Sequence, residues 1–144
     1  MLVQQILKSK ANDTVATVAP DTTVTEAVRL LSDKRIGALV VSQDGKRAQG
    51  IISERDIVRE IGQRGPACLD EKVSALMTAD PVTCHRDEAA DLVLGRMTEG
   101  RFRHIPVVEG EEMIGLISIG DVVKARLAEL SMEKDALEGM IMGH

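Results

Sequence analysis

Two stretches of this chain carry nearly the same sentence, and a duplicated pattern constrains folding more than any composition does. Gly50-Ile51-Ile52-Ser53-Glu54-Arg55-Asp56-Ile57-Val58 returns as Gly115-Leu116-Ile117-Ser118-Ile119-Gly120-Asp121-Val122-Val123. Upstream, the apolar set Val24, Ala27, Val28 and Leu31 returns at the same spacing as Ala90, Val93, Leu94 and Met97. The lead-ins match too, with Val3, Ile6 and Leu7 answered by Val73, Leu76 and Met77. The gap between the two blocks is one residue shorter in the second half, in a turn, where an indel costs little. A unit duplicated with its polar signature in register predicts two related sites facing a pseudo-two-fold axis.

At 144 residues the chain has the size of one domain, and each half alone is small for a stable core. The halves are therefore expected to share one core within a single compact module. Residues 1–64 form the first repeat with its lead-in, 65–130 the second repeat with a lead-in helix, and 131–144 a helical tail. No apolar run reaches the roughly 18 residues that span a membrane. One early lysine, Lys8, and no cleavage-site pattern argue against a secretory signal, so the expected location is cytoplasmic.

Within each half the periodicity changes along the chain. Val15 to Val18 reads as a short extended piece. Thr23-Val24-Thr25-Glu26 has the form of a capping box, opening a helix to about Asp33. Ile36 to Val41 is a buried strand, Asp44-Gly45 a turn, Gly50 to Ile52 a second strand, and Ser53 starts a helix ending near Gly62. Gln63-Arg64-Gly65-Pro66 links the halves. The second half repeats this β-α-β-β-α order, with a lead-in helix over 70–77, an extended piece opening at Asp80-Pro81, and Asp87 as the expected cap of the next helix. Phe102 to Val108 and Gly115 to Ile117 are the paired strands. Helix from Asp121 onward runs past the unit, with Val123, Leu127, Leu130, Leu137 and Ile141 in an apolar stripe broken by Lys134. That stripe predicts packing on the module itself or on a second copy.

The Ser-x-x-Asp pairs sit where a strand turns into a helix. Backbone N–H groups there are unsatisfied and carry the positive end of the helix dipole, which suits a phosphate. A serine hydroxyl adds a donor, and a carboxylate accepts two ribose hydroxyls. The same spacing is also simply a helix cap, worth about 1 kcal/mol.

Two β-α-β-β-α units, each with Gly-h-h-Ser-x-x-Asp-h-h, resemble a tandem pair of CBS domains, a Bateman module, over roughly residues 12–130. Arg103-His104-Ile105-Pro106-Val107-Val108 and Ile36-Gly37-Ala38-Leu39-Val40-Val41 are similar to that family's strand wording. More narrowly, the chain resembles the small free-standing CBS pairs of bacteria. The resemblance implies an α/β (α+β) fold of two CBS repeats with pseudo-two-fold symmetry, plus a C-terminal helical extension. It also implies a regulatory sensor for an adenosine-containing ligand such as AMP, ADP, ATP, NAD(H) or S-adenosylmethionine. In the family the serine serves phosphate and the acid ribose, roles that carry over to Ser53, Asp56, Ser118 and Asp121. By the same resemblance, Ala16 and Val82, Ile36-Gly37-Ala38, and Arg103-His104 line the adenine pockets, and Arg103 and His104 are phosphate candidates. Arg55 lies inside the first signature with Gly120 as its counterpart, so the two cradles are not equivalent. Lys34, Arg35 and Arg101 are read as solvated surface charges. With Phe102 the only aromatic residue, the base is expected between aliphatic side chains. CBS pairs commonly form disk-like homodimers, and a homodimer is expected here.

Other classes fare worse. A net charge of −5 and an almost complete lack of aromatics oppose nucleic-acid binding. Cys68, Cys84, His85, His104 and His144 have no metal-ligand spacing, and no metal is expected. Cys84-His85 is a weak nucleophile–base candidate, because sequence neighbours point apart on a strand. No enzyme is therefore expected. The alternative is a structural interaction module with lapsed ligand sites.

Overall fold

The computed structural model describes residues 1–10 and 14–142. Residues 11–13 and 143–144, among them the expected start of the repeated region at 12 and the histidine at 144, lie outside that description.

The first repeat is built from β1 (Thr17–Val18), α2 (Val24–Lys34), β2 (Ala38–Val41), β3 (Gly50–Ser53) and α3 (Glu54–Arg64), preceded by α1 (Val3–Ser9). Thr23 caps α2, its hydroxyl accepting from the Glu26 N–H at 3.2 Å. β1 runs parallel to β2, and β2 pairs antiparallel with β3. All four β2 residues are buried, which is why the strand reads as a continuous apolar run. Gln63 and Arg64 belong to α3 rather than to a linker, and the chain turns at Gly65 with φ 83°.

A short 3₁₀ segment (Pro66–Asp70) and α4 (Val73–Leu76) stand in place of the single lead-in helix expected over 70–77. β4 (Thr78–Ala79), α5 (Ala90–Gly100), β5 (His104–Glu109), β6 (Glu112–Ser118) and α6 (Ile119–Ile141) follow. β5 and β6 pair antiparallel, Pro106 facing Leu116. Where the first repeat has strand β1, the second has only a parallel bridge between Cys84 and Val107. The cause is Pro106. In the first repeat the Val40 N–H donates to the Ala16 carbonyl at 3.0 Å; Pro106, at the matching place, has no N–H to give. Among the described residues, two backbone bonds join the piece to β5, from Cys84 N–H to Pro106 O, 3.0 Å, and from Val108 N–H to Cys84 O, 2.9 Å.

The lead-ins cross over. Val3 and Ile6 are buried with Val93, Met97, Ile105 and Ile117 of the second repeat, whereas Val73 and Leu76 are buried with Val24, Leu31, Leu39 and Ile52 of the first. There are thus two apolar clusters instead of one shared core, each completed by a segment lying before the other repeat's helices in chain order. Paired backbone bonds follow the exchange. The first N–H of α2 donates to Glu71 O at 2.9 Å, and the first N–H of α5 donates to Met1 O at 2.9 Å. Asp87 is therefore not the cap of α5: the N-cap is Ala89, and a carbonyl of the crossing lead-in takes the orphan donor. The repeated glycines serve this contact. A Cβ on Gly50 would stand 2.4 Å from Met77 Sδ, and one on Gly115 2.7 Å from Leu7 Cδ2.

α6 continues without a break to Ile141, so the tail is the second repeat's last helix prolonged. Its far half leaves the module, with Leu127, Leu130, Leu137 and Ile141 all exposed.

Candidate functional site

Both Ser-x-x-Asp units form reciprocal caps. The Ser53 N–H donates to Asp56 Oδ2 at 2.9 Å while Ser53 Oγ accepts from the Asp56 N–H at 3.2 Å. Ser118 and Asp121 repeat the arrangement at 2.9 and 3.1 Å. In each repeat the strand start also ties down the helix: Glu54 N–H donates to Gly37 O at 2.9 Å and Ile119 N–H to Arg103 O at 2.8 Å. Sequence alone specifies this joint, because a serine leaving a strand and an acid three residues on satisfy each other's backbone.

Each cap opens into a cleft whose opposite wall belongs to the other repeat. The first, about 540 Å³, is lined by Ser53, Arg55 and Asp56 together with Val82, Arg103 and His104. The second, about 760 Å³, is lined by Ser118 and Asp121 together with Ala16, Ile36 and Ala38. Gly37, His104 and Ser118 line both, so the two clefts share a wall. Every sequence-predicted site residue thus borders one cleft or the other.

The acids are held by different cations. Asp56 Oδ1 meets Arg59 at 2.9 Å, one turn along the same helix. Asp121 Oδ2 meets Lys10 Nζ at 2.9 Å, and that ammonium also donates to Leu116 O at 2.8 Å. Burial pushes the Asp121 carboxyl up, but the Ser118 N–H and the Lys10 ammonium more than offset it and hold it below the usual carboxylate range. His104 is half-buried at the shared wall, and burial lowers its imidazole below the ordinary value against the opposing pull of the Asp121 carboxylate.

Several lining residues differ from expectation. Phe102 lines the Ser53 cleft at the place matching Ile36 in the other, so one base-sized cleft does have an aromatic wall. The register of Gly37 on Arg103, which sets Phe102 at the place of Ile36, carries that signal. Arg101 and Lys34, both exposed as solvated charges would be, also border the Ser53 and Ser118 clefts respectively. Arg35 borders neither. Arg35 and Arg101 end α2 and α5 in the left-handed conformation, φ 54° and 57°, and so turn the chain into the wall of each cleft. Lys10 carries no local sequence signal, because its partner Asp121 lies at the far end of the chain.

Cys84 is a poor nucleophile. Burial pushes the Cys84 thiol up to about 12, and His85 instead has Nδ1 3.2 Å from Val108 O. Among the described residues, no group of three or more His, Cys, Asp or Glu is placed to hold a metal ion. No helix among them is long and apolar enough to cross a membrane.

The sequence pattern of the CBS domain matches residues 3–63 and 73–128. The chain belongs to the CBS-domain family. Among relatives, a mitochondrial CBS-domain-containing protein of Arabidopsis thaliana is 35% identical over 148 residues, covering 98% of this chain and 72% of the relative. Of other curated Arabidopsis relatives the chain spans about a fifth of the length, 22% in one case. A CBS-domain-containing protein of Agrobacterium tumefaciens has a crystal structure 42% identical to this chain, with TM-score 0.83, covering 88% of this chain and 99% of that one. A CBS-domain protein of Pyrobaculum aerophilum, solved as a complex with AMP, is 26% identical with TM-score 0.77, covering 92% and 99%. These CBS-pair structures share the mixed α/β architecture seen here.

Proposed function

We propose that this CBS pair is a regulatory module that binds adenosine-containing ligands, AMP, ADP, ATP or NAD(H), in its two clefts and passes occupancy to a partner by changing shape. One observation carries the reading: a capped Ser-x-x-Asp helix start borders each cleft, opposite a small or aliphatic residue on the other repeat's extended piece. Backbone N–H groups and the serine would take phosphate, Asp56 and Asp121 the ribose, and the strand starts at Ile36-Gly37-Ala38 and Arg103-His104 the base and nearby phosphate. The AMP complex of the Pyrobaculum relative supports the ligand class. A ligand that prefers one arrangement of the repeats shifts the module toward it in proportion to that preference. As a sensor of adenylate or energy state it would act in the cytoplasm.

The exposed stripe on α6 favours a homodimer as the acting form. Leu127 and Ile141 are 62% and 77% exposed, too apolar a face to leave in water.

The test is a thermal-shift panel of adenosine, AMP, ADP, ATP, NAD(H) and S-adenosylmethionine. Ligand at a hundred times its dissociation constant adds about 2.7 kcal/mol, a rise of about 5–10 °C for a chain this size. A flat response across the panel overturns the proposal.

A further inference from the structure

We propose that the two clefts divide adenosine ligands by charge: the Ser53 cleft holds the di- or triphosphate, and the Ser118 cleft a ligand with at most one phosphate. This rests on the binding reading above and assigns each cleft its ligand class.

The shared wall limits the total charge. Gly37, His104 and Ser118 border both clefts, so anionic tails drawn to the two helix starts would converge on one strip of protein. Like charges brought together in a partly desolvated space repel strongly. One extended anion fits that strip better than two.

The cations decide which cleft receives it. Arg55, Arg101 and Arg103 border the Ser53 cleft, all three exposed and none in an ion pair among the described residues. Arg59 is committed to Asp56 at 2.9 Å, as Lys10 is to Asp121 in the other cleft, so the difference rests on the unpaired cations. Guanidinium groups grip phosphate oxygens two at a time. The carboxylates of Glu54 and Asp80 also face this cleft. Three unpaired guanidiniums outnumber these two carboxylates.

In the Ser118 cleft the balance is different. Lys10 is already committed, held by Asp121 at 2.9 Å and Leu116 O at 2.8 Å, which leaves Lys34 as the unpaired lysine or arginine bordering that cleft among the described residues. Ile119 and Gly120 stand where α3 carries Glu54 and Arg55. The aromatic face points the same way. Phe102 gives the Ser53 cleft a ring on which a base can stack, where the Ser118 cleft offers Ile36.

The chain supplies its own reporter, because Phe102 is its only phenylalanine, tyrosine or tryptophan. Protein labelled with ¹³C-phenylalanine gives one ring system that reads the Ser53 cleft, and the Ile36 δ1 methyl reads the Ser118 cleft. ATP is expected to move the Phe102 signals first, with the Ile36 signal following at about tenfold or more higher concentration. Adenosine added to the ATP-loaded protein should then move Ile36. Arg103→Gln should lower ATP affinity at Phe102 about tenfold more than adenosine affinity. ATP moving both signals together, or Ile36 first, overturns the division while leaving the clefts as adenosine sites. If neither adenosine, AMP nor ATP moves either signal, the binding reading falls and takes the division with it.

Discussion

Asp121 is the residue at which a helix cap and a ribose acceptor can be told apart. Replacing it with alanine removes the acceptor of the Ser118 N–H, 2.9 Å away, and strands Lys10, whose ammonium keeps only Leu116 O. The lost cap costs about 1 kcal/mol. The ion pair, with both side chains 26% exposed, adds about 0–1 kcal/mol. The unliganded protein should therefore lose about 1–2 kcal/mol, a fall in melting temperature of about 3–6 °C. Asp121→Asn keeps a carbonyl acceptor and loses only the charge, so it should fall about half as far. Ligand binding follows a different scale. A carboxylate accepting ribose hydroxyls contributes about 1.5–3 kcal/mol, so Asp121→Ala should weaken the Ser118 cleft by about 10- to 150-fold while leaving the Ser53 cleft intact. Melting curves with and without AMP, paired with calorimetric titration of the three proteins, read both effects at once. Should the alanine variant melt early yet bind AMP with wild-type affinity and stoichiometry, Asp121 is a cap and nothing more.

Further outcomes follow from other parts of the fold. Ile6→Ala, at a residue 1% exposed, should cost about 2–5 kcal/mol and speed amide exchange in β5, β6 and α5 before it does so in β2 and β3; loss of protection confined to the first repeat would refute the crossed lead-ins. The Arg96 guanidinium beside Glu88 draws that carboxyl from the ordinary 4.5 down to about 2. A depressed carboxyl stabilises the fold above pH 4.5 and loses that contribution as the pH falls toward 2, so Glu88→Gln should flatten this part of the acid limb. With Arg96 38% exposed, the cost at neutral pH is about 1 kcal/mol, and an unchanged urea midpoint would refute it. Light scattering should give twice the 15.6 kDa chain mass, and truncation after Ala128 should weaken the dimer without abolishing nucleotide binding; a full-length monomer at micromolar concentration would refute the tail contact.

The strands and helices of each repeat were legible because their periods are local. β2 reads as a buried run, α2 as a stripe from Val24 to Leu31, and Ser53 and Ser118 as helix starts, all from neighbours in sequence. The crossed lead-ins were not. Val3-Ile6 and Val73-Leu76 have the same apolar spacing, and either half could have received either segment. The same limit hid Lys10, which meets Asp121 only across the folded chain. Phe102 was legible in principle. Aligning Gly37 with Arg103 puts Phe102 opposite Ile36, but a lone aromatic beside an apolar strand reads first as core. Asp87 misled for a chemical reason, since an acid just before a helix suggests a cap, yet the crossing Met1 carbonyl already meets the first donor of α5.

The most direct test of the account is native mass spectrometry of the full chain, first as purified and then with a tenfold excess of AMP or ATP. Two ligands per chain are predicted with saturating AMP and one with ATP at concentrations that fill the Ser53 cleft, with the Asp56→Ala and Asp121→Ala variants each retaining one AMP. A chain that stays ligand-free at millimolar AMP and ATP would contradict the claim that its paired clefts are nucleotide sites.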